Sequence, residues 1–484
     1  MFLGVDIGTS AVKAVAADEA GRVAAQSASP LSVSRPRPLW SEQDPEDWWR
    51  ATDAAVMALD PALRAQVRGV GLAGQMHGAT LLDGEDRVLR PAILWNDGRA
   101  AVECAALEVA EPRTRAITGN PAMAGFTAPK LLWLRAHEPD VFARVRTVLL
   151  PKDYVRLRMS GDKATDMSDA SGTLWLDVGA RRWSAPMLAA SGLDERAMPR
   201  LCEGPAPTGV LRADIAARWG MKRAPIAAGA GDNAAAAIGL GVIEANDAFL
   251  SLGTSGVLFV ATDRFRPNPN AAVHAFAHAL PERWHQMSVM LSAASCLDWA
   301  AALLGFNDVA ALLQAAESAA DSGGVIFLPY LSGERTPHAD PFAKGVLFGM
   351  SASSDRAAIA RAVLEGVAMA LRDGLDVLTE AGSNIGAIRM AGGGSRSKFW
   401  TRLISAALNR PLLSSDNADV GPAFGAARLA RLAVQQEDFK TVCAAQPVAG
   451  VQEPDADLRD AFAARQPRFR RLYADLRESL RSVT

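Results

Sequence analysis

Gly4-Val5-Asp6-Ile7-Gly8-Thr9-Ser10-Ala11-Val12 opens the chain, and half a chain later Phe249-Leu250-Ser251-Leu252-Gly253-Thr254-Ser255-Gly256-Val257 repeats the pattern. Each copy is an apolar run, a tight turn of glycine and small hydroxyl residues, and a second apolar run, which is how a β-hairpin is written. Two such hairpins half a chain apart imply two similar domains facing each other. A Gly-Thr-Ser turn exposes backbone N–H groups and hydroxyls with no Cβ in the way, so it can wrap phosphate oxygens. The copies differ where Asp6 ends the first strand and Ser251 stands in the second. A carboxylate beside a phosphate cradle repels the phosphates unless a divalent cation lies between them. The two loops together read as a site for a magnesium-bound nucleotide.

At 484 residues the chain exceeds the roughly 250–300 at which single cores stop growing, so two domains are expected. The boundary falls at Val242 to Asp247, just before the second hairpin, giving domains 1–243 and 244–484. A hydrophobic share of 49%, a charged share of 21% and a net charge of −2 describe an ordinary soluble globular chain. No broad basic field is present, so a nucleic-acid partner is not expected. Arg468, Arg470 and Arg471, with Asp475 and Glu478 close by, read as a solvated helix face. Cys104, Cys202, Cys296 and Cys443 lie far apart, which suits neither a zinc site nor a disulfide framework and fits a reducing compartment. The N-terminus has no basic segment before its apolar stretch, and the most apolar run, 226–243, is interrupted by Asp232 and Asn233. The expectation is a cytoplasmic protein with no membrane partner; the oligomeric state stays open, a homodimer included.

Short β-like runs at Gly69–Ala73, Thr147–Pro151 and Pro225–Gly229 alternate with helical spacing at Pro45–Leu59 and Lys130–Ala143, which argues for α/β layers. Beyond the second hairpin come a strand at Val325–Pro329, a long helix at Asp355–Glu380 and a strand at Ile388–Ala391. Past about residue 436 the chain reads as charged, helical and peripheral.

Gly229-Ala230-Gly231-Asp232-Asn233-Ala234 follows an apolar strand and opens an alanine-rich helix. Asp232 fits two roles there. It is a preferred helix cap, or a general base kept ionised by the helix dipole and ready to accept a hydroxyl proton. The same stretch matches the dinucleotide pattern Gly-x-Gly-x-x-Ala, but Asp232 would then repel a pyrophosphate. Met390-Ala391-Gly392-Gly393-Gly394 is either a plain turn or a backbone flat enough to lie against a base or ribose. No Walker sequence occurs, so a nucleotide site here is not of the P-loop type. Gln75-Met76-His77-Gly78 ends the Gly69–Ala73 strand and, with Trp95-Asn96-Asp97-Gly98-Arg99 and Lys152-Asp153-Tyr154, offers the polar groups and aromatic walls that bind polyols. A lone histidine at a strand end is also commonly structural.

The duplicated loop, the Gly-Asp-Asn turn and the triple glycine, in this order, resemble the sugar kinases of the FGGY family. That resemblance implies an α/β protein of two duplicated actin/hexokinase-like (ribonuclease H-like) ATPase domains around a central cleft. It runs over nearly the whole chain. Gly125-Phe126-Thr127-Ala128-Pro129-Lys130-Leu131-Leu132-Trp133 is close to the family's first signature, with Ala136 where a polar residue is usual. Gly345-Val346-Leu347-Phe348-Gly349-Met350 leading to Glu365 is close to the second, with Ala358 likewise in place of a polar residue. Trp40 to Pro45, Gly74 to Thr80 and Leu331 to His338 are most similar to the family members that phosphorylate D-xylulose; Met76-His77 stands where glycerol kinases carry Arg-Glu. The resemblance implies ATP and magnesium as cosubstrate and cofactor, and Asp232 as proton acceptor. It makes Met76, His77 and Asn233 sugar contacts and Asp6 the magnesium residue. Thr9, Ser10, Lys13 and Thr254 would hold phosphates, although a strand lysine is equally at home in solvent. Gly393 and Gly394 would meet the adenosine. Trp299 lines the nucleotide cleft or belongs to the core of its helix. A kinase for another ketopentose or polyol, such as ribulose, and a non-catalytic actin-like ATP-binding regulator are the alternatives.

Overall fold

Each Gly-Thr-Ser hairpin lies inside a sheet of its own. In the computed structural model, which describes residues 1–415 and 421–482, the strand Phe2–Ile7 pairs antiparallel with Ala11–Ala17 and parallel with Gly69–Gly74. In the second half Ala248–Leu252 pairs antiparallel with Gly256–Thr262 and parallel with Ile388–Ala391. The duplication therefore extends beyond the hairpins. The strand that runs into Gln75-Met76-His77 holds the same place in the first sheet as the strand that runs into Gly392-Gly393-Gly394 in the second. Both sheets are seven-stranded and mixed, and their parallel pairs require crossover connections, which the chain supplies as helices. The fold is thus the α/β layering that the alternation predicts, in the two parts that the repeated hairpin and the chain length imply.

Each sheet has its own apolar core, one built around Leu3, Val5, Ile7, Val70 and Leu72 and the other around Leu250, Leu252, Leu258, Val260 and Ile388. A third cluster joins the halves, packing Met76, Phe126 and Trp133 against Phe249, Phe259, Phe276 and Met287. The helix Gly421–Gln435 lies in sequence between two strands of the second sheet, Leu412–Ser414 and Gly450–Gln452, but packs on the first. It lies across Phe2–Ile7 and Gly69–Gly74 and beside the helix Asp232–Leu240. Only glycine permits so close an approach: a Cβ on Gly71 would sit 1.9 Å from the Ala426 carbonyl oxygen, and one on Gly4 would sit 1.8 Å from that of Ala423. Gly71→Ala is therefore expected to push the helix off the sheet and to destabilise the protein by about 1–3 kcal/mol or more. Urea unfolding checks this, and an unchanged midpoint would mean that the helix can shift without loss.

Two expectations are corrected. The segment 130–143 is two helices, Thr127–His137 and Pro139–Arg144. Pro139 has no N–H to continue the ladder and disfavours the α conformation at Glu138, which sits at φ −133° and ψ 58°. Past residue 436 the chain is not wholly helical: Gly450–Gln452 pairs with Leu412–Ser414 and forms the edge of the second sheet before the helix Ala456–Arg481.

Candidate active site

Sheet register brings the two carboxylates together. Ile7 and Gly231 both pair with Gly74 of the strand between them, so Asp6 and Asp232 emerge at the same edge of the first sheet. Asp6 is buried, and its Oδ1 has no hydrogen-bond partner. Burial, and then the charge of Asp232, push its carboxyl up to about 7, against the opposing charge of Lys13 across the hairpin. Asp232 opens the helix Asp232–Leu240, with Gly231 in the cap position and no side-chain cap bond. Its Oδ1 accepts the backbone N–H of Asn233 at 2.7 Å and the Asn233 side-chain amide at 3.0 Å. Burial raises its carboxyl to about 6, with those two hydrogen bonds opposing.

Asp232 and Asn233 face a cavity of about 230 Å³ that Met76 and His77 also line. His77 adopts a left-handed conformation, φ 71°, which a non-glycine residue keeps only when its surroundings hold it. The holders come from the Phe126 to Trp133 stretch: Lys130 Nζ donates to the His77 carbonyl at 2.8 Å, Thr127 Oγ1 donates to it at 3.2 Å, and Phe126 meets the imidazole edge-on. Burial, then Lys130, keep the imidazole well below its ordinary pKa. With Nδ1 2.7 Å from the Gly172 carbonyl, the neutral ring carries its proton on Nδ1 and leaves Nε2 as an acceptor. The cavity thus has an acceptor nitrogen, a carboxylate, an amide and a thioether, which suits a small polyhydroxylated ligand.

The second hairpin faces a larger cavity, about 830 Å³, lined by Gly253 and Thr254, by Gly393 and Gly394, and by Asp298, Arg396 and Lys398. Gly392 makes the turn into it: its φ is 82°, and a Cβ there would sit 2.7 Å from the Leu252 carbonyl oxygen. The Thr254 carbonyl accepts the Ser295 hydroxyl at 2.9 Å and the Ala293 N–H at 2.9 Å, which fixes the loop to the start of the helix Ser295–Leu304. The first loop is anchored differently. Thr9 Oγ1 donates to Gln75 Oε1 and accepts from Trp95 Nε1–H, each at 3.0 Å, and Gln43 Nε2 donates to the Thr9 carbonyl at 2.8 Å. Ser10 and Lys13 are exposed at the hairpin.

The residues singled out in the sequence therefore gather in three places: Met76, His77, Asp232 and Asn233 in one cavity, Thr254, Gly393 and Gly394 in another, and Asp6, Thr9, Ser10 and Lys13 on the first hairpin. Trp299 lines neither cavity; it stacks on Phe327, with ring centroids 5.5 Å apart, against the second core. Lys152 and Asp153 are fully buried behind the site rather than in the cavity. Sequence reasoning missed much of the far wall. Ser251, Ser255, His274, Phe276 and Arg335 reach the smaller cavity from the second half, whereas Trp95, which the sequence did single out among its aromatic walls, lines it from the first. Ser251 was visible only as the partner of Asp6 in the repeat, and Arg335 only inside the Leu331 to His338 stretch. Nothing local marks His274 or Phe276, because the second sheet alone carries their strand to the cleft.

Two facing α/β halves, each offering a Gly-Thr-Ser hairpin, with a polar cavity beside a base-like carboxylate and a roomy one beside a triple glycine, define a nucleotide-dependent small-molecule kinase. Models of the FGGY family of carbohydrate kinases match the chain over residues 1–239 (N-terminal domain) and 248–434 (C-terminal domain), and the chain belongs to that family. It is 53% identical to a xylulose kinase of Escherichia coli over 98% of this chain and 99% of that protein, and 36% identical to one of Bacillus subtilis over 88% and 87%. Its structure superposes on that of a xyloylose kinase from Brucella ovis with a TM-score of 0.95 and 50% identity, covering 99% of each chain. ATP and a sugar are accordingly its substrates. Among the described residues no single helix is long and apolar enough to cross a membrane.

Proposed function

We propose that the protein transfers the γ-phosphoryl group of magnesium-bound ATP to the terminal hydroxyl of D-xylulose, forming D-xylulose 5-phosphate, with Asp232 as the general base. The observation that carries the reading is the shared cavity of Met76, His77, Asp232 and Asn233, set in a chain 53% identical to a xylulose kinase. Phosphoryl transfer asks little covalent work of a protein, so positioning and charge neutralisation supply most of the rate. Asn233 engages Asp232 through Oδ1 alone, which leaves Oδ2 to take the hydroxyl proton as the oxygen attacks. His77 Nε2 and the Asn233 amide orient the sugar. Thr254, with Thr9 and Ser10 across the cleft, would hold phosphates, and Gly393 and Gly394 the adenosine.

Asp6 fits a magnesium site. A buried carboxylate oxygen without a partner, whose proton affinity is raised by burial and by a second carboxylate, is relieved by a cation. When bound, the ion would neutralise charge on the β- and γ-phosphates. Among the described residues no cluster of three or more His, Cys, Asp or Glu side chains could hold a metal, so we assign Asp6 a hold on hydrated magnesium shared with the nucleotide. The four cysteines are free thiols, in keeping with a cytoplasmic enzyme. A coupled ADP-release assay over pentuloses and polyols tests the substrate: D-xylulose should give the highest kcat/KM. A preference for ribulose or a polyol would overturn it, and ADP release that no sugar stimulates would favour a regulator.

Because walls of the sugar cavity come from both halves, an occupied cavity engages both. We expect the cleft to close by rotation about the Val242 to Asp247 connection, with the helix Gly421–Gln435 moving with the first sheet on which it packs. Small-angle scattering should show the radius of gyration falling when D-xylulose and a non-hydrolysable ATP analogue are added together. An unchanged radius would rule closure out.

A further inference from the structure

Behind Gly231 lies a dense cluster of buried charge. Lys152 Nζ pairs with Asp153 Oδ1 at 2.7 Å, Asp166 Oδ1 at 2.9 Å and Asp169 Oδ2 at 3.0 Å, with every side chain fully buried, and Arg156 lies 3.9 Å from Asp153. Such a cluster is commonly no more stabilising than apolar residues of the same volume, so its presence next to a reacting carboxylate asks for another explanation. Asp166 supplies one. Its Oδ2 accepts the N–H groups of Ser168 at 2.7 Å and Asp169 at 3.2 Å, as well as the Ser168 hydroxyl, and so caps the short helix Met167–Ser171.

A hydroxyl has one proton to give. Because that of Ser168 goes to Asp166, its lone pairs are left to accept the backbone N–H of Gly231 at 3.1 Å. Gly231 is the residue before Asp232 and caps its helix. The other end of the same short helix holds the sugar side of the site, since the Gly172 carbonyl accepts His77 Nδ1–H at 2.7 Å. Ser171 Oγ also accepts the N–H of Ala277 at 3.0 Å, which ties the element to the second sheet. One turn of helix therefore touches the backbone beside the carboxylate, the ring of the sugar-contacting histidine and the opposite half.

We propose that Ser168 is a positioning residue: oriented by Asp166, which Lys152 anchors, it fixes Gly231 and thereby aims the Asp232 carboxylate at the hydroxyl held beside His77. The proposal rests on the assignment of Asp232 as the base. Lys152 acts at one remove, by holding Asp166 as a fixed acceptor so that the Ser168 hydroxyl cannot turn away from it.

A cycle of variants tests this. Ser168→Ala should lower kcat roughly 10- to 100-fold, as sub-ångström misplacement of a reacting group does, with KM for ATP unchanged. Ser168→Thr, which restores the hydroxyl, should recover most of the loss. In the Asp232→Asn background Ser168→Ala should cost nothing further, because its effect passes through Asp232. Asp166→Asn, which takes away the charged acceptor, should reproduce the signature and serves if Ser168→Ala folds poorly. Native kcat in Ser168→Ala while Asp232→Asn is inactive would sink the relay alone. So would an equal loss in both backgrounds, which marks a merely structural serine. Native turnover in Asp232→Asn would instead remove the base assignment, and the relay with it.

Discussion

Asp232→Asn should lower kcat by about 10²- to 10⁴-fold while leaving the fold and the sugar affinity nearly intact. Asparagine keeps the shape of the side chain and an oxygen for the Asn233 N–H, so the helix start and the cavity wall survive; only the capacity to take a proton is lost. The pH profile offers an independent check. With its carboxyl raised to about 6 by burial, a base at Asp232 would be protonated and idle below that pH and ionised above it. The kcat/KM for sugar, measured at saturating magnesium so that Asp6 does not titrate, should fall about tenfold per unit below pH 6 and level off above it. The residual activity of Asp232→Asn should lack this limb. Slow ATP hydrolysis without sugar, in which the same carboxylate activates a water, should fall in parallel. Near-native turnover in the variant would return Asp232 to a purely structural place at its helix start.

Asp232 was legible from the sequence as one of two things, a cap or a base, and local pattern could not choose between them because both begin an apolar helix with an acid. The fold places Gly231 in the cap position and turns Asp232 toward the cavity. The hairpins were legible because the apolar runs and the Gly-Thr-Ser turns between them are local features. Their repetition implied two halves, and the sheets show that it includes the neighbouring strands as well. What stayed hidden was long-range. The helix Gly421–Gln435 reads as part of the second half, yet it packs on the first sheet through glycines whose purpose appears only when the helix is in place. The far wall of the cavity beside Asp232 is hidden for the same reason: His274 and Phe276 sit in an ordinary apolar strand whose neighbours the sequence does not name. Trp299, which the sequence leaves between the nucleotide cleft and the core of its helix, stacks on Phe327 against the second core in the fold.

Asp6→Asn should lower turnover by about 10²-fold or more, since a hold on the cation at the transferring phosphates is worth several kcal/mol, and should weaken Mg-ATP binding with it. Sugar binding measured without nucleotide should hardly change. The same substitution should make the ligand-free protein more stable at neutral and higher pH. Asp6 ionises near 3.8 when unfolded but only near 7 in the folded chain, so the unfolded state gives up its proton first, and stability is lost as pH rises between those values. The penalty is about 4 kcal/mol once both states are ionised. Asparagine cannot ionise and escapes it. Chemical denaturation at pH 8 should therefore show the variant to be more stable than the native protein, with the advantage gone by pH 4. Magnesium with ADP should raise the melting temperature of the native chain and do so far less in the variant. If the variant keeps both its rate and its magnesium response, the cation is held elsewhere, and the difference between Asp6 and Ser251 in the two hairpins has another cause. If it loses rate but gains no stability at pH 8, the carboxylate is already compensated in the ligand-free protein, and its role is confined to contacts made once nucleotide is bound.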